Sequence, residues 1–262
     1  MGAPGFRVLR DGPGEAAWNM SVDEALLLEA RSSGPVLRLY RWRAPALSLG
    51  YRQVPPAWLG RCAALGVEVV RRVTGGGAVL HAGDLTYAVA APPGTPGLGD
   101  DLSGSYAWIR ARLLEGLQAA GLAARAAQAR AGADRLELCF AGATGFEVEL
   151  DGQKLIGSAQ RRSAHGFLQH GSIRVSDDTA LYRALVGGSP APPPPAGLDA
   201  ETLSEALVAS FEAALGRGLE PAELSHSERE RAEARRAERR LDPLAAPGLS
   251  LRRFVAAADR VA

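Results

Sequence analysis

The chain has 262 residues and a formal net charge of +1, with 47% hydrophobic and 23% charged residues; these are ordinary proportions for a soluble globular protein of one large domain, with or without an appendage. The near-neutral balance argues against a general nucleic-acid binder, which shows a basic excess. No apolar run reaches the ~18 residues that span a bilayer and the N-terminus lacks the apolar stretch of a secretory signal, so the expectation is a cytoplasmic protein, monomeric by default, with no membrane and no nucleic-acid partner.

In chain order, residues 14–32, "GEAAWNMSVDEALLLEARS", place apolar side chains at helical spacing and predict an amphipathic helix. "PVLRLYRW" at 35–42 alternates and predicts a strand, and "ALSLGY" at 46–51 another. A short helix at 55–66 opens on proline and closes on glycine, and holds Cys62 as a buried structural thiol. Strands are expected at 67–73, 78–81 and 85–91, and a triple glycine separates the first two. The strongest helical pattern is 105–121. "FEVEL" at 146–150, the pair Asp151-Gly152 and "QKLIGSAQRR" predict a hairpin, because Asp-Gly between alternating runs favours a tight turn; 166–175 extends it to a third strand. "GGSPAPPPPAG", from 187, reads as a semi-rigid linker. Two helices follow, and the second, "SERERAEARRAERRL", is charged on all sides and predicts a solvated helix. The expected organisation is a main domain over 1–186, a proline-rich linker over 187–200 and a helical segment over 201–262. The fold class is α+β, with adjacent strands in hairpins.

"RRVTGGGAVLH" does not fit a nucleotide-binding loop, which needs a lysine directly after its last glycine and then a helix. A strand follows here, which also excludes the dinucleotide fingerprint. Two readings stay open: a glycine-rich hairpin loop, or a backbone surface on which a ligand lies directly, with N–H groups available to a carbonyl or phosphate. The four histidines, His81, His165, His170 and His226, have no metal-ligand spacing. With two cysteines, Cys62 and Cys139, there is neither a disulfide framework nor a zinc site.

Lysine and arginine total 30, yet Lys154 is the one lysine. A chain that otherwise uses arginine for positive charge keeps a compact, tunable amine at this position; a guanidinium is wide and never gives up its proton. Cys139 alone reads as a small buried hydrophobe. It precedes the strand that hairpins onto the strand carrying Lys154, and an ammonium near a thiol favours the nucleophilic thiolate.

Together, "RRVTGGGAVLHAGDLTYAV", "KLIGSAQRR…LQHGSI", "NMSVDEALL" and "PVLRLYRWRAPALSLGYRQ" resemble the lipoate–protein ligase and octanoyltransferase family, over residues 6–180. The resemblance implies a biotin/lipoate ligase catalytic domain, class II synthetase-like, with a mixed, mostly antiparallel sheet, flanking helices and a small helical tail. It places Gly75, Gly76 and Gly77 along a narrow acyl tunnel and Lys154 at the reacting carbonyl. It assigns substrate-binding positions to Arg72, Ala78, His81, Thr86, Gly157, Ser158, Ala159, His170, Gly171 and Ser172. The run "CFAGATGFEVELDGQKLIGSAQ" is similar to the cysteine-bearing segment of the LipM-type octanoyltransferases, which points to Cys139 and Lys154 as the catalytic pair.

The implied reaction moves octanoate from acyl carrier protein, through a cysteine thioester, to a lysine of a lipoyl domain or glycine cleavage H protein, with no metal and no cofactor. Three alternatives stand beside it: an ATP- and Mg-dependent lipoate ligase, an amidotransferase between carrier proteins, and a non-catalytic acyl-binding module. Arg71, Arg72, Arg161 and Arg162 are expected to help receive acidic carriers. The chain departs from the family in Ala82, where an aspartate usually follows the motif histidine and Asp84 stands two places on. It departs again in "FAGATG" after Cys139, which is smaller than the aromatic-containing stretch common in LipM proteins.

Overall fold

The computed structural model describes residues 5–98, 101–127, 147–187 and 198–244; Cys139 lies outside them. The strands form two sheets. The larger is built from β1 (Arg7–Gly14), β2 (Val36–Trp42), β6 (Leu85–Ala91), β7 (Arg125–Ala126), β8 (Val148–Leu150), β9 (Gln153–Ser163), β10 (Gly166–Ile173) and β11 (Glu220–Pro221), in the order β11-β1-β2-β6-β10-β9-β8-β7. The smaller contains β3 (Ala46–Leu49), β4 (Glu68–Arg71), β5 (Val79–His81) and β12 (Arg240–Leu241), in the order β12-β4-β3-β5. The β1–β11, β1–β2 and β3–β4 ladders are parallel and the others antiparallel. The fold is therefore α+β with a mixed, mostly antiparallel sheet and flanking helices. Among the described residues, no helix is long and apolar enough to cross a membrane.

β6 explains how the large sheet carries a site. All seven of its residues are buried. Leu85, Tyr87, Val89 and Ala91 face one hydrophobic core, and Ala88 and Ala90 face a second. A strand with two covered faces shows no polar alternation. On the first face lie α4 (Leu102–Ala119) and α6 (Ala200–Leu215), packed against each other. On the second lies α1 (Ala16–Leu28), which is also covered by α7 (His226–Arg239) and touches β4. This covering explains why α1 is buried nearly all round, including Asn19, Ser21, Asp23 and Glu24, where the sequence predicted one polar face.

Several sequence expectations need correction. β1, which the sequence pattern does not predict, lies in the body of the large sheet between β11 and β2. The short helix shrinks to α3 (Arg61–Ala64), and α5 (Thr179–Val186) was unforeseen. β4 and β5 do not pair across the triple glycine; they flank β3, so the glycine loop crosses from one side of β3 to the other. The predicted tight turn is present, with Asp151 at φ 51° and Gly152 at φ 74° joining β8 to β9.

α7 is solvated over most of its surface but not on all sides. Glu228, Ala232 and Arg239 are buried in it. Its N-terminus is closed by a capping box of Ser225 and Glu228, and Glu228 also receives Arg7. Arg239 meets Glu24 of α1 at 3.3 Å. Charges that read as solvent-facing in sequence are thus paired across the α1 seam. Likewise Leu203, Leu207 and Phe211 of α6 belong to the first core, so the residues after the proline-rich run pack into the same body as those before it.

The glycine loop rests on the backbone after β3. A Cβ at Gly50 would lie 2.0 Å from the carbonyl oxygen of Gly76, and Gly76 itself has φ +91°. Tyr51 N–H donates to the Thr74 carbonyl at 2.8 Å just beside this contact. Gly50→Ala is therefore expected to push the loop away and cost about 1–3 kcal/mol, the scale of an overpacked contact, measured as a lower unfolding midpoint in denaturant. An unchanged midpoint would mean that the two segments separate freely.

Candidate functional site

The second face of the large sheet and the small sheet line a pocket that opens to solvent. Strand periodicity decides which side chains reach it. On β10, Leu168 joins the α1-side core and Phe167 and Ile173 the other, so His170 and Ser172 share the face of Leu168. Thr86 of β6 and Tyr40 of β2 lie on the same side, and Met20 of α1 closes over them. The small sheet contributes Ser48, Val79 and His81, with Arg72 at the end of β4. Gly157, Ser158 and Ala159 of β9 and Gly171 of β10 complete the lining. Small residues are required there. A Cβ at Gly171 would lie 2.7 Å from both the Gly157 carbonyl and the Tyr87 ring.

Two hydrogen-bonded carboxylates organise the polar groups behind this lining. Asp23, on α1, is fully buried. It accepts from Arg38 at 2.7 Å, from the Tyr40 hydroxyl at 2.8 Å and from His170 Nδ1 at 2.7 Å. Burial alone pushes the Asp23 carboxyl up, but the His170 and Tyr40 hydrogen bonds and the Arg38 charge together outweigh it and hold the carboxyl below its ordinary value. His170 Nε2 lies 2.6 Å from the Thr74 hydroxyl, at the start of the glycine loop. The second carboxylate is Asp84. Its Oδ2 accepts from His81 Nδ1 at 2.8 Å, Thr86 Oγ1 at 3.1 Å and Ser172 Oγ at 2.6 Å. The His81 ring stacks on Trp42 at 3.8 Å between centroids, and Trp42 donates to Thr86.

The Asp23–Arg38 pair carries a stability prediction. Both side chains are 1% exposed or less, and removing one partner from such a pair costs about 3–5 kcal/mol. Asp23→Ala is expected to fall in that range by denaturant unfolding. Because the folded-state value is depressed, the contribution is fully present above the unfolded carboxylate range and is lost as pH falls through the folded value. Asp23→Asn should accordingly flatten the acid limb of the stability–pH curve. An unaltered acid limb would contradict this assignment.

Among the expected site residues, Arg72, His81, Thr86, Gly157, Ser158, Ala159, His170, Gly171 and Ser172 meet at this cavity. Gly75 and Gly76 are exposed beside it, Gly77 is half-buried, and Ala78 belongs to the core beneath the small sheet. Lys154 does not line the cavity; its ammonium pairs with Glu147 at 3.1 Å, both side chains under 10% exposed. Cys62 is buried and inert, its thiol pushed up to about 11 by burial.

One expectation is overturned. Arg71 and Arg72 are buried and do not present charge to a carrier. Arg71 Nη1 donates to the carbonyls of Gly50 and Gln53 at 2.7 and 2.9 Å, and Arg72 Nη2 to those of Gly75 and Gly77 at 2.6 and 2.7 Å. Arg72 holds the glycine loop and Arg71 the segment after β3, because a guanidinium fork can satisfy several backbone acceptors at once. Arg161, which donates to the Val73 carbonyl at 3.3 Å, is half-buried, and Arg162 is exposed.

Sequence reading missed Met20, Tyr40, Ser48, Val79, Asp23 and Arg38. The charged pair gave one available signal: Asp23 and Arg38 interrupt apolar positions of a helix and a strand, where a charge implies a partner.

The description "Lipoyl protein ligase A/B catalytic domain" matches residues 15–225. The chain is 37% identical to octanoyltransferase LipM of Kyrpidia tusciae, over 87% of this chain and 93% of that protein. It is 42% identical to octanoyltransferase LipM of Carboxydothermus hydrogenoformans, over 64% of this chain and 65% of that protein. In fold it is similar to a putative lipoate protein ligase of T. acidophilum with bound lipoic acid, with a TM-score of 0.72, 22% identity and coverage of 89% and 94% of the two chains. It is also similar to a lipoate-protein ligase A bound with ATP, with a TM-score of 0.70, 20% identity and coverage of 90% and 95%.

Proposed function

The chain belongs to the lipoyl protein ligase A/B catalytic-domain family, and from that premise we infer that it is an octanoyltransferase of protein lipoylation. One observation carries this reading. The polar side chains around the cavity are turned to one another: His170 to Asp23, His81, Thr86 and Ser172 to Asp84, and Arg72 to backbone carbonyls. The surface left to a ligand is apolar and narrow, which suits an unbranched alkyl chain.

The reaction proceeds in two half-steps. The Cys139 thiolate attacks the octanoyl thioester of the acyl carrier protein; the pantetheine sulfur leaves and takes a proton. The acceptor lysine, as the free amine, then attacks the acyl-cysteine; an amide forms, the Cys139 thiolate is regenerated and a proton is released. Lys154 supplies positive charge at the reacting carbonyl and favours the thiolate. A thioester is exchanged for a thioester and then for an amide, so the sequence runs downhill without ATP, metal or cofactor. The acceptor is a lipoyl domain or a glycine cleavage H protein, and a lipoyl-domain partner fits the fold neighbour described as a bi-partite lipoate protein ligase with its E2 lipoyl domain.

The test is transfer to an apo lipoyl domain from octanoyl-acyl carrier protein in the absence of ATP. Octanoylated product is expected. Modification seen only with free lipoate and ATP would support a ligase, and modification only from an already octanoylated or lipoylated carrier domain would support an amidotransferase.

A further inference from the structure

Asp84 stands two places after Ala82, and its surroundings give it a definite task. Its Oδ2 collects donors from three strands in two sheets: His81 of β5, Thr86 of β6 and Ser172 of β10. All three line the cavity, while Asp84 itself sits behind them and is 4% exposed. A carboxylate only accepts, so the proton of the His81–Asp84 bond is on Nδ1. In the neutral imidazole Nε2 is then an acceptor, and the Ser48 hydroxyl at 2.9 Å must donate to it. The Ser48 oxygen is left to accept from Arg72 Nη1 at 3.3 Å, and Arg72 also holds the Ser48 carbonyl at 2.8 Å. The same guanidinium binds the carbonyls of Gly75 and Gly77. Asp84 thus sets the direction of the His81 and Ser48 bonds, and Arg72, which only donates, joins the Ser48 oxygen to the glycine loop.

We propose that Asp84 is a positioning residue for the acyl site: by fixing the His81 tautomer it orders Ser48 and Arg72 and so holds the glycine loop over the cavity. Its connection to catalysis rests on the octanoyltransferase reading; its action on His81 and the loop does not. Asp84 does not touch the reacting atoms. Its removal frees three cavity-lining donors at once and uncouples β5 of the small sheet from β6 and β10 of the large one. A buried network of this kind fails as a unit.

The experiment has two parts. Long-range nitrogen–proton NMR correlation on the whole chain, near neutral pH, reads which ring nitrogen of His81 carries the proton; amide hydrogen exchange reads the segment 74–78. Wild type is expected to show Nδ1–H, and slower loop exchange than a variant without the carboxylate. Asp84→Ala is expected to lose the Nδ1–H preference and raise loop exchange about tenfold, the scale of one lost buried hydrogen bond. Asp84→Asn, which keeps one oxygen for the three donors, is expected to restore both. In octanoyl transfer, Asp84→Ala should raise KM for the acyl donor more than it lowers kcat.

An Nε2–H tautomer in wild type would overturn the proposal, even if Asp84→Ala does not fold. So would an Asp84→Ala protein with wild-type tautomer and loop exchange. Neither measurement uses an acyl donor, so a failure of the octanoyltransferase reading would appear separately, as absent transfer by a wild type with the expected tautomer.

Discussion

Cys139→Ala is expected to abolish octanoyl transfer, with a fall in kcat of about 10⁴-fold or more, the scale on which loss of a covalent nucleophile is felt when the rest of the site survives. The expectation follows from the two-step chemistry. Without the thiol, the carrier thioester and the acceptor amine must meet directly, with no acyl-enzyme between them. Octanoyl binding should survive, because the cavity residues are unchanged. Stopped-time assays of lipoyl-domain octanoylation measure the loss. A Cys139→Ala protein that retains a tenth of wild-type turnover would remove the cysteine from the mechanism.

The second large effect is expected at Lys154. Lys154→Arg keeps the charge but replaces a compact ammonium with a planar fork that does not release its proton. A fall in kcat of about 10²–10³-fold is expected, as for the loss of one group that stabilises developing charge. Stability should change little, because an arginine still faces Glu147. Lys154→Met should lose activity to the same degree and also stability, on the order of 3 kcal/mol, because the Glu147 carboxylate is buried beside it. The double variant Lys154→Met with Glu147→Gln should recover stability without recovering turnover. Recovery of turnover in the double variant would mean that Lys154 acts through folding alone.

Much of this arrangement was legible in the sequence where local pattern and tertiary context agree. β6 is expected from its apolar run, and β9 and β10 from the hairpin opened by the Asp151-Gly152 turn. Resemblance named cavity residues on four of the participating strands, β5, β6, β9 and β10. What escaped depended on partners distant in sequence. β11 and β12, two residues each, exist only because β1 and β4 offer them an edge. α7 read as solvated because its charges look unpaired until α1 lies beside it. Arg38 and Asp23 are 15 residues apart, on a strand and a helix, and a one-dimensional pattern does not show that they share a buried bond. The two motif arginines were misread for a related reason. Their acceptors are backbone carbonyls on the glycine loop and after β3, and no sequence motif records which carbonyls a fold leaves unsatisfied.

Ala82 cannot pair with His81, but the turn at Gly83, with φ +92°, brings Asp84 back to the imidazole. The resulting bond is an i,i+3 contact within one turn.

The most direct test of the central claim is the intact mass of the chain after incubation with octanoyl-acyl carrier protein, without ATP and without an acceptor. The account predicts a gain of one octanoyl group, released by neutral hydroxylamine as a thioester is, present in wild type and absent in Cys139→Ala. No adduct in wild type, with lipoyl-domain modification appearing equally in both proteins once lipoate and ATP are supplied, would contradict it.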